Sequence, residues 1–180
     1  MSMHTHSHTF ADSVAEITGQ DPALCYQCGK CSAGCPVRAY TDSPPNRIVR
    51  FVQLGLEGRA LNARALWLCA GCQTCTTRCP QEFDLAGFMD AMRELALRRG
   101  VKPPEKDILA FHDAFLTQIK RHGRSFEFGL VRDYKLKTGH LLQDVENAPS
   151  MFAKGKIGVF PHSVDQPSTM KRIFKRSEEI

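Results

Sequence analysis

The sequence predicts an all-α chain. Apolar residues recur at helical spacing through most of its length, and no long stretch alternates apolar with polar as a half-buried strand does. A cysteine motif also occurs twice, with a helical stretch between the copies.

Met1 to Thr9 is a polar tail rich in His and Ser, in which His4, His6 and His8 alternate. Such a tail is expected to lack folded support, and no metal is assigned to it. Phe10, Val14 and Ile17 share one face of a short helix that Gly19 ends. After the first motif, Ser43, Pro44 and Pro45 read as a cap and first turn. Ile48, Val49, Phe51, Val52 and Leu54 continue that helix to Gly55 or Gly58. A second short helix from about Arg59 carries Leu61, Leu66, Trp67 and Leu68 into the second motif. Beyond it, Asp84 caps a helix with Leu85, Phe88, Met89, Met92 and Leu95 at helical spacing, and Gly100 stops it. Pro103 and Pro104 open another, with Ile108, Leu109, Phe111, Phe115, Leu116 and Ile119 apolar and Gly123 at its end. Ser125 to Thr138 and His140 to Ala153 read as further helices. Turn signals follow at Gly155, Gly158 and Pro161, then a basic helical end from about Ser168. The expected organisation is a tail and short helix over 1–20, a motif-bearing domain over 21–101 and a helical extension over 102–180.

The 180 residues, 42% hydrophobic, permit one domain or a small domain with extensions. The longest apolar runs, such as Ala65 to Ala70, fall far short of the roughly 18 residues a membrane span needs. No basic start, apolar stretch and small-residue cleavage site combine at the beginning, so a cytoplasmic location is expected. That compartment keeps thiols reduced, which favours ligands over disulfides for the eight cysteines. The net charge of +5 is mild, with a basic excess at Lys154, Lys156, Lys171, Arg172, Lys175 and Arg176. Without interleaved aromatic residues this reads as a solvated face or a docking patch for an acidic partner, not as a nucleic-acid site.

CYQCGKCSAGCP, from Cys25 to Pro36, recurs as CAGCQTCTTRCP, from Cys69 to Pro80. Both copies run Cys, two residues, Cys, two, Cys, three, Cys-Pro. Three thiolates spaced by two residues can wrap one loop around a face of a [4Fe–4S] cubane, and a fourth ligand is then needed. In two-cluster ferredoxins of this spacing, the Cys before Pro ligates the other cluster. Carried onto this chain, that general pattern groups Cys25, Cys28, Cys31 and Cys79 on one cluster and Cys69, Cys72, Cys75 and Cys35 on the second. All eight cysteines would be iron ligands. Compact bacterial ferredoxins join their motifs by a shorter, strand-forming linker. The helical linker here therefore points to an alpha-helical ferredoxin with a helical C-terminal extension.

Pro36 and Pro80 turn the chain away from the cluster, and Gly29, Gly34 and Gly71 let backbone approach it. Paired structural zincs are the competing use of eight cysteines, but zinc modules do not ordinarily add the third Cys and the Cys-Pro. Trp67 and Phe83 could shield the second cluster or simply pack the core. His112, His122, His140 and His162 are scattered and read as surface or capping residues. No phosphate-cradling loop, paired nucleophile and base, or informative carboxylate pair is present, so no substrate-transforming centre is expected.

Over most of its length from about Ala23, the chain resembles the C subunit of heterodisulfide reductase. The resemblance lies in SPPNRIVRFVQLGLEGRAL before LWLCAGCQTCTTRCP, in HGRSFEFGLVRDYKLKTGHL, and in GKIGVFPHSVDQPSTMKRIFK. It implies a non-catalytic electron carrier in a soluble complex, placed between two other proteins. One is flavin-containing and like the A subunit of that enzyme; the other is cysteine-rich, like its B subunit, and reduces a disulfide. In methanogens that disulfide joins coenzymes M and B. The alternatives are an iron–sulfur subunit of a sulfur-oxidising or other oxidoreductase complex and, in another class, a zinc or nucleic-acid-binding module.

Overall fold

The computed structural model describes residues 9–143, 146, 148–155, 158 and 160–178, and among them every regular element is helical. The chain divides into two units, Met1–Glu105 and Lys106–Ile180.

The first unit begins with α1, Phe10–Thr18, which starts where a capping box makes it start. The Thr9 hydroxyl accepts from the Asp12 N–H, and the Asp12 carboxylate accepts from the Thr9 N–H. Gly19, left-handed at φ 66°, ends it as expected. A 3-10 turn at Pro22–Leu24 leads into the first cysteine run, which contains the one-turn helix α2, Lys30–Ala33. After the 3-10 turn Arg38–Tyr40 comes α3, Pro45–Gln53. Its first turn is capped from outside: the Asn46 N–H donates to the Ser32 hydroxyl of α2 at 3.2 Å. Ser43, the expected cap, makes no cap bond, because Pro44 occupies the N-cap position in an extended conformation.

The single helix expected from Arg59 to Leu68 is two short ones, α4, Glu57–Leu61, and α5, Arg64–Leu68. The break has a polar cause. The Asn62 side chain takes the Gly58 carbonyl at 2.8 Å, and the Asp42 carboxylate accepts the Arg64 N–H at 3.3 Å. The second cysteine run contains α6, Thr74–Thr77, and α7 follows as Leu85–Arg98. Asp84 caps α7 through the Gly87 N–H at 3.0 Å, and Gly100 lies just past its end at φ 68°.

α7 packs against α1, α4, α5 and α6, and α3 against α1, α2 and α4. Between them Val14, Ile48, Val49, Val52, Leu66, Phe88 and Met92 are almost wholly excluded from solvent. Each large aliphatic or aromatic side chain so buried contributes about 1.5–3 kcal/mol of transfer free energy. Trp67 and Phe83 belong to this core, with Phe83 against Phe88 at 5.5 Å between ring centroids.

The second unit contains α8, Lys106–His122; α9, Glu127–Thr138; α10, Ala148–Ala153; and α11, Pro167–Glu178. α8 starts after the Pro103–Pro104 pair, α9 starts after Ser125, and among the described residues of the expected helix from His140, α10 is the α-helical part. α9 and α11 both pack on α8. The buried residues of α8 are Ala114 and Gln118, not the expected apolar face: Phe111, Phe115 and Leu116 stay largely exposed. Gln118 donates to Asp133 of α9 at 2.6 Å, and Phe111 meets Tyr134 edge-on at 6.0 Å. Lys154, Lys171, Arg172, Lys175 and Arg176 of the basic region are exposed, whereas Lys156 lies outside the described residues. The His4, His6 and His8 tail also lies outside them.

Candidate iron–sulfur centre

The two cysteine runs have the same backbone. The third residue of the first run is Gln27 and of the second Gly71, and both are left-handed, at φ 66° and 60°. The fifth residue is Gly29 in one and Gln73 in the other, again both left-handed, at φ 77° and 62°. Glycine takes this region freely and glutamine does not, so each run holds one strained residue. Successive amides in left- and right-handed conformations line a concave, anion-binding surface of the kind used at iron–sulfur sites.

In both halves a hydroxyl joins the run to the helix after it. The Ser32 hydroxyl donates to Asn46 Oδ1 at 2.5 Å and accepts from the Asn46 N–H. The Thr76 hydroxyl donates to Asp84 Oδ1 at 2.8 Å and accepts from the Ala86 N–H at 3.0 Å. The first half extends this linkage to a thiol: Asn46 donates to Gln27 Oε1 at 3.1 Å, and Gln27 Nε2 donates to Cys25 Sγ at 3.3 Å.

All eight cysteines are free thiols; Cys28 and Cys72 are exposed and the other six half-buried. Burial pushes the Cys25 thiol up, the Gln27 amide opposes this, and the nearby Cys79 and Cys28 push it further up. Cys31 is raised by burial, with Ser32 opposing and Cys25 and Cys28 adding. Burial raises Cys69 too; the Gly71 amide and Arg93 oppose it, and Asp90 and Cys35 add to it. Cys75 is raised by burial, with Thr76 opposing and Cys69 adding. Exposed Cys72 is lowered by hydrogen bonding to Thr74, whose Oγ1 lies 3.4 Å from its sulfur.

The structure thus brings Cys79 to the first run's thiols and Cys35 to the second run's. One pocket is bordered by Cys35, Cys69, Cys72 and Cys75 together, with apolar walls from Pro36, Val37, Ala65, Ala86 and Met89. Trp67 and Phe83 do not border it; of the two expectations for them, core packing holds. Among the described residues no three His, Cys, Asp or Glu side chains close on a single metal ion. A polyatomic cluster is wider than an ion and requires its thiolates spread around it. Thiolate donors, converging amides and a largely apolar pocket fit a [4Fe–4S] group.

Several supporting residues carried no signal in a reading of the cysteines alone. Gln53 closes α3 onto the first run, its Nε2 donating to the Pro22 and Cys25 carbonyls at 2.8 Å each. Arg93 does the same from α7, donating to the carbonyls of Leu66 at 2.9 Å and Cys69 at 3.2 Å. The pair stands at different spacings from the two motifs, so the motif repeat by itself does not point to it.

Residues 24–83 match the family described as a 4Fe-4S dicluster domain. The chain is also similar to curated proteins named as parts of heterodisulfide reductases. It is 38% identical to the iron-sulfur C subunit of the CoB–CoM heterodisulfide reductase of Methanopyrus kandleri, over 42% of this chain and 40% of that protein. It is 35% identical to the C subunit of the ferredoxin:CoB-CoM heterodisulfide reductase of Methanosarcina mazei, over 51% and 56%. A third such C subunit, from Methanothermobacter thermautotrophicus, is 28% identical over 53% and 51%. The chain spans about half the length of the curated relatives it matches. It therefore carries, across residues 24–83, a dicluster domain for two [4Fe–4S] groups, and over the aligned stretch it resembles the iron–sulfur C subunit of heterodisulfide reductases.

Proposed function

We propose that this chain is a non-catalytic electron-transfer component of a heterodisulfide reductase-like complex, with its two clusters ligated crosswise. Cys25, Cys28, Cys31 and Cys79 hold one; Cys69, Cys72, Cys75 and Cys35 hold the other. The observation that carries the crosswise grouping is the pocket bordered by Cys35 together with Cys69, Cys72 and Cys75. The electrostatic influence of Cys79 on the Cys25 thiol supports the same grouping in the other half.

When bound, each [4Fe–4S] group supplies a one-electron carrier. The chain's residues bind, tune and connect the two sites. Cysteine thiolates ligate iron, and amides such as those of Gln27 and Gly71 donate to the coordinated sulfurs, which favours the reduced state. Apolar walls at Ala65, Ala86 and Met89 limit water on one side of the second site. Because each run lends a ligand to the other, the two sites are held as neighbours through α2 and α6, which pack together.

On this reading the donor is a flavin-containing protein of the A type and the acceptor a cysteine-rich protein of the B type that works on a disulfide. The complex is cytoplasmic, and the extension over 102–180 docks its other members. That the relatives are named as C subunits of heterodisulfide reductases supports a multi-subunit complex, and the extension's exposed apolar surface at Phe111, Leu136, Leu142 and Phe160 supports docking. Among the described residues no helix is long and apolar enough to cross a membrane.

Two variants test the ligation. Cys35→Ala should remove or convert the cluster bound mainly by Cys69 to Cys75, and Cys79→Ala the one bound mainly by Cys25 to Cys31. Electron paramagnetic resonance of the reduced variants distinguishes them; loss of each run's own cluster instead would refute the crossing. For the complex, anaerobic affinity purification from the native cells should recover a flavoprotein and a cysteine-rich partner. Recovery of the chain alone would count against it.

A further inference from the structure

The correspondence of the two halves extends beyond the cysteines to a clamp that is neutral in one half and cationic in the other. Gln53 and Arg93 are each the ninth residue of the helix after their motif, α3 and α7. Each spans the same two carbonyls of its own half: that of the first Cys, and that of the residue three before it. Gln53 takes Cys25 and Pro22; Arg93 takes Cys69 and Leu66. A neutral amide therefore holds one cluster loop and a guanidinium the other.

The charges around this pair decide whether the difference reaches the clusters. Asp90 pairs with Arg93 at 3.2 Å but is the more exposed partner, at 59% against 21%, so solvent screens its charge more strongly. In the first half, Arg50 donates to Gln53 Oε1 at 3.0 Å, but it is exposed and stands a residue further from the loop. The runs themselves differ in charge at Lys30 against Thr74 and at Arg78 against Gly34, but Lys30 and Arg78 are exposed, whereas Arg93 is a half-buried cation placed directly on a cluster-loop carbonyl.

Building on the two-cluster reading, we propose that Arg93 is a positioning residue that raises the potential of the cluster held by Cys69, Cys72, Cys75 and Cys35 above that of its neighbour. A reduced cluster carries one more negative charge than an oxidised one, and a nearby half-buried cation favours it. Electrons then pass downhill from the Cys25 side and rest on the Cys69 side. A guanidinium on the Cys69 loop, where the Cys25 loop has a neutral amide, biases the relay toward the Cys69 side.

The test is an EPR-monitored redox titration of anaerobically reconstituted full-length protein whose iron and labile sulfide have been measured. Arg93→Gln keeps a clamp of the kind Gln53 provides and removes the charge. The upper couple should fall so that the electron's partition between the clusters changes at least tenfold, about 59 mV for a one-electron couple. The lower couple should stay in place, and Arg93→Lys should restore most of the separation. An unchanged upper couple, or a shift of the lower one, overturns the proposal. If Arg93→Gln fails to hold both clusters, Gln53→Arg decides: the lower couple should rise, and its failure to move overturns the proposal. Wild-type protein without iron and sulfide would instead overturn the two-cluster reading itself, an outcome the metal analysis separates from all the others.

Discussion

Gln27 and Gln73 sit in the left-handed region that a side chain enters only at a cost of about 1–2 kcal/mol, while Gly29 and Gly71 hold the matching positions freely. The two glutamines differ in what they gain. Gln27 bonds Cys25 and Asn46, whereas Gln73 accepts from Thr77 only through its backbone carbonyl. Gln73→Gly should therefore leave thermal stability unchanged or raise it slightly. Gly71→Ala should lower it by about 1–2 kcal/mol. Equal effects of the two on the unfolding midpoint would remove strain as the explanation. The cysteine spacing made all eight candidate ligands legible. The clamps and hydroxyl bridges were not legible, because Gln53, Arg93, Ser32 and Thr76 are ordinary surface residue types whose meaning comes from the carbonyl or amide they reach.

The helices illustrate the same division at the level of elements. α1 and α7 carry local start signals, Thr9 with Asp12 and Asp84 with Gly87, and both begin where those signals put them. α3 is started instead by a hydroxyl from a distant turn, and the break between α4 and α5 depends on Asp42, remote in sequence. Periodicity alone could not locate either. Asp84 serves two elements at once, capping α7 and accepting from Thr76. Asp84→Ala should therefore cost more than a simple cap, at the upper end of about 0.5–2 kcal/mol, measured by chemical denaturation. Asp84→Asn should recover much of it; a loss no larger than that of an ordinary cap would show that the Thr76 bridge contributes nothing. In the second unit, a Cβ at Gly129 would come within 2.6 Å of both Gln118 Oε1 and the Phe126 ring. Gly129→Ala should loosen α9 from α8 at a cost of about 1–3 kcal/mol, seen as faster amide exchange across both helices.

For the whole molecule, the duplicated motif is both an architectural and an electronic device. Two copies of one loop, each followed by a helix that closes back on it, build two sites from one pattern, and the short helices α2 and α6 of the two runs pack together. Helical periodicity and the long inter-motif segment made the all-α class legible. The periodicity of α8 located the helix but not its buried face: Phe111, Phe115 and Leu116 line exposed surface in the second unit. The most direct measurement of the central claim is the iron and acid-labile sulfide content of anaerobically purified protein, with zinc quantified in the same sample. Two clusters predict about eight iron and eight sulfide per chain and no stoichiometric zinc. Stoichiometric zinc without labile sulfide would contradict the account.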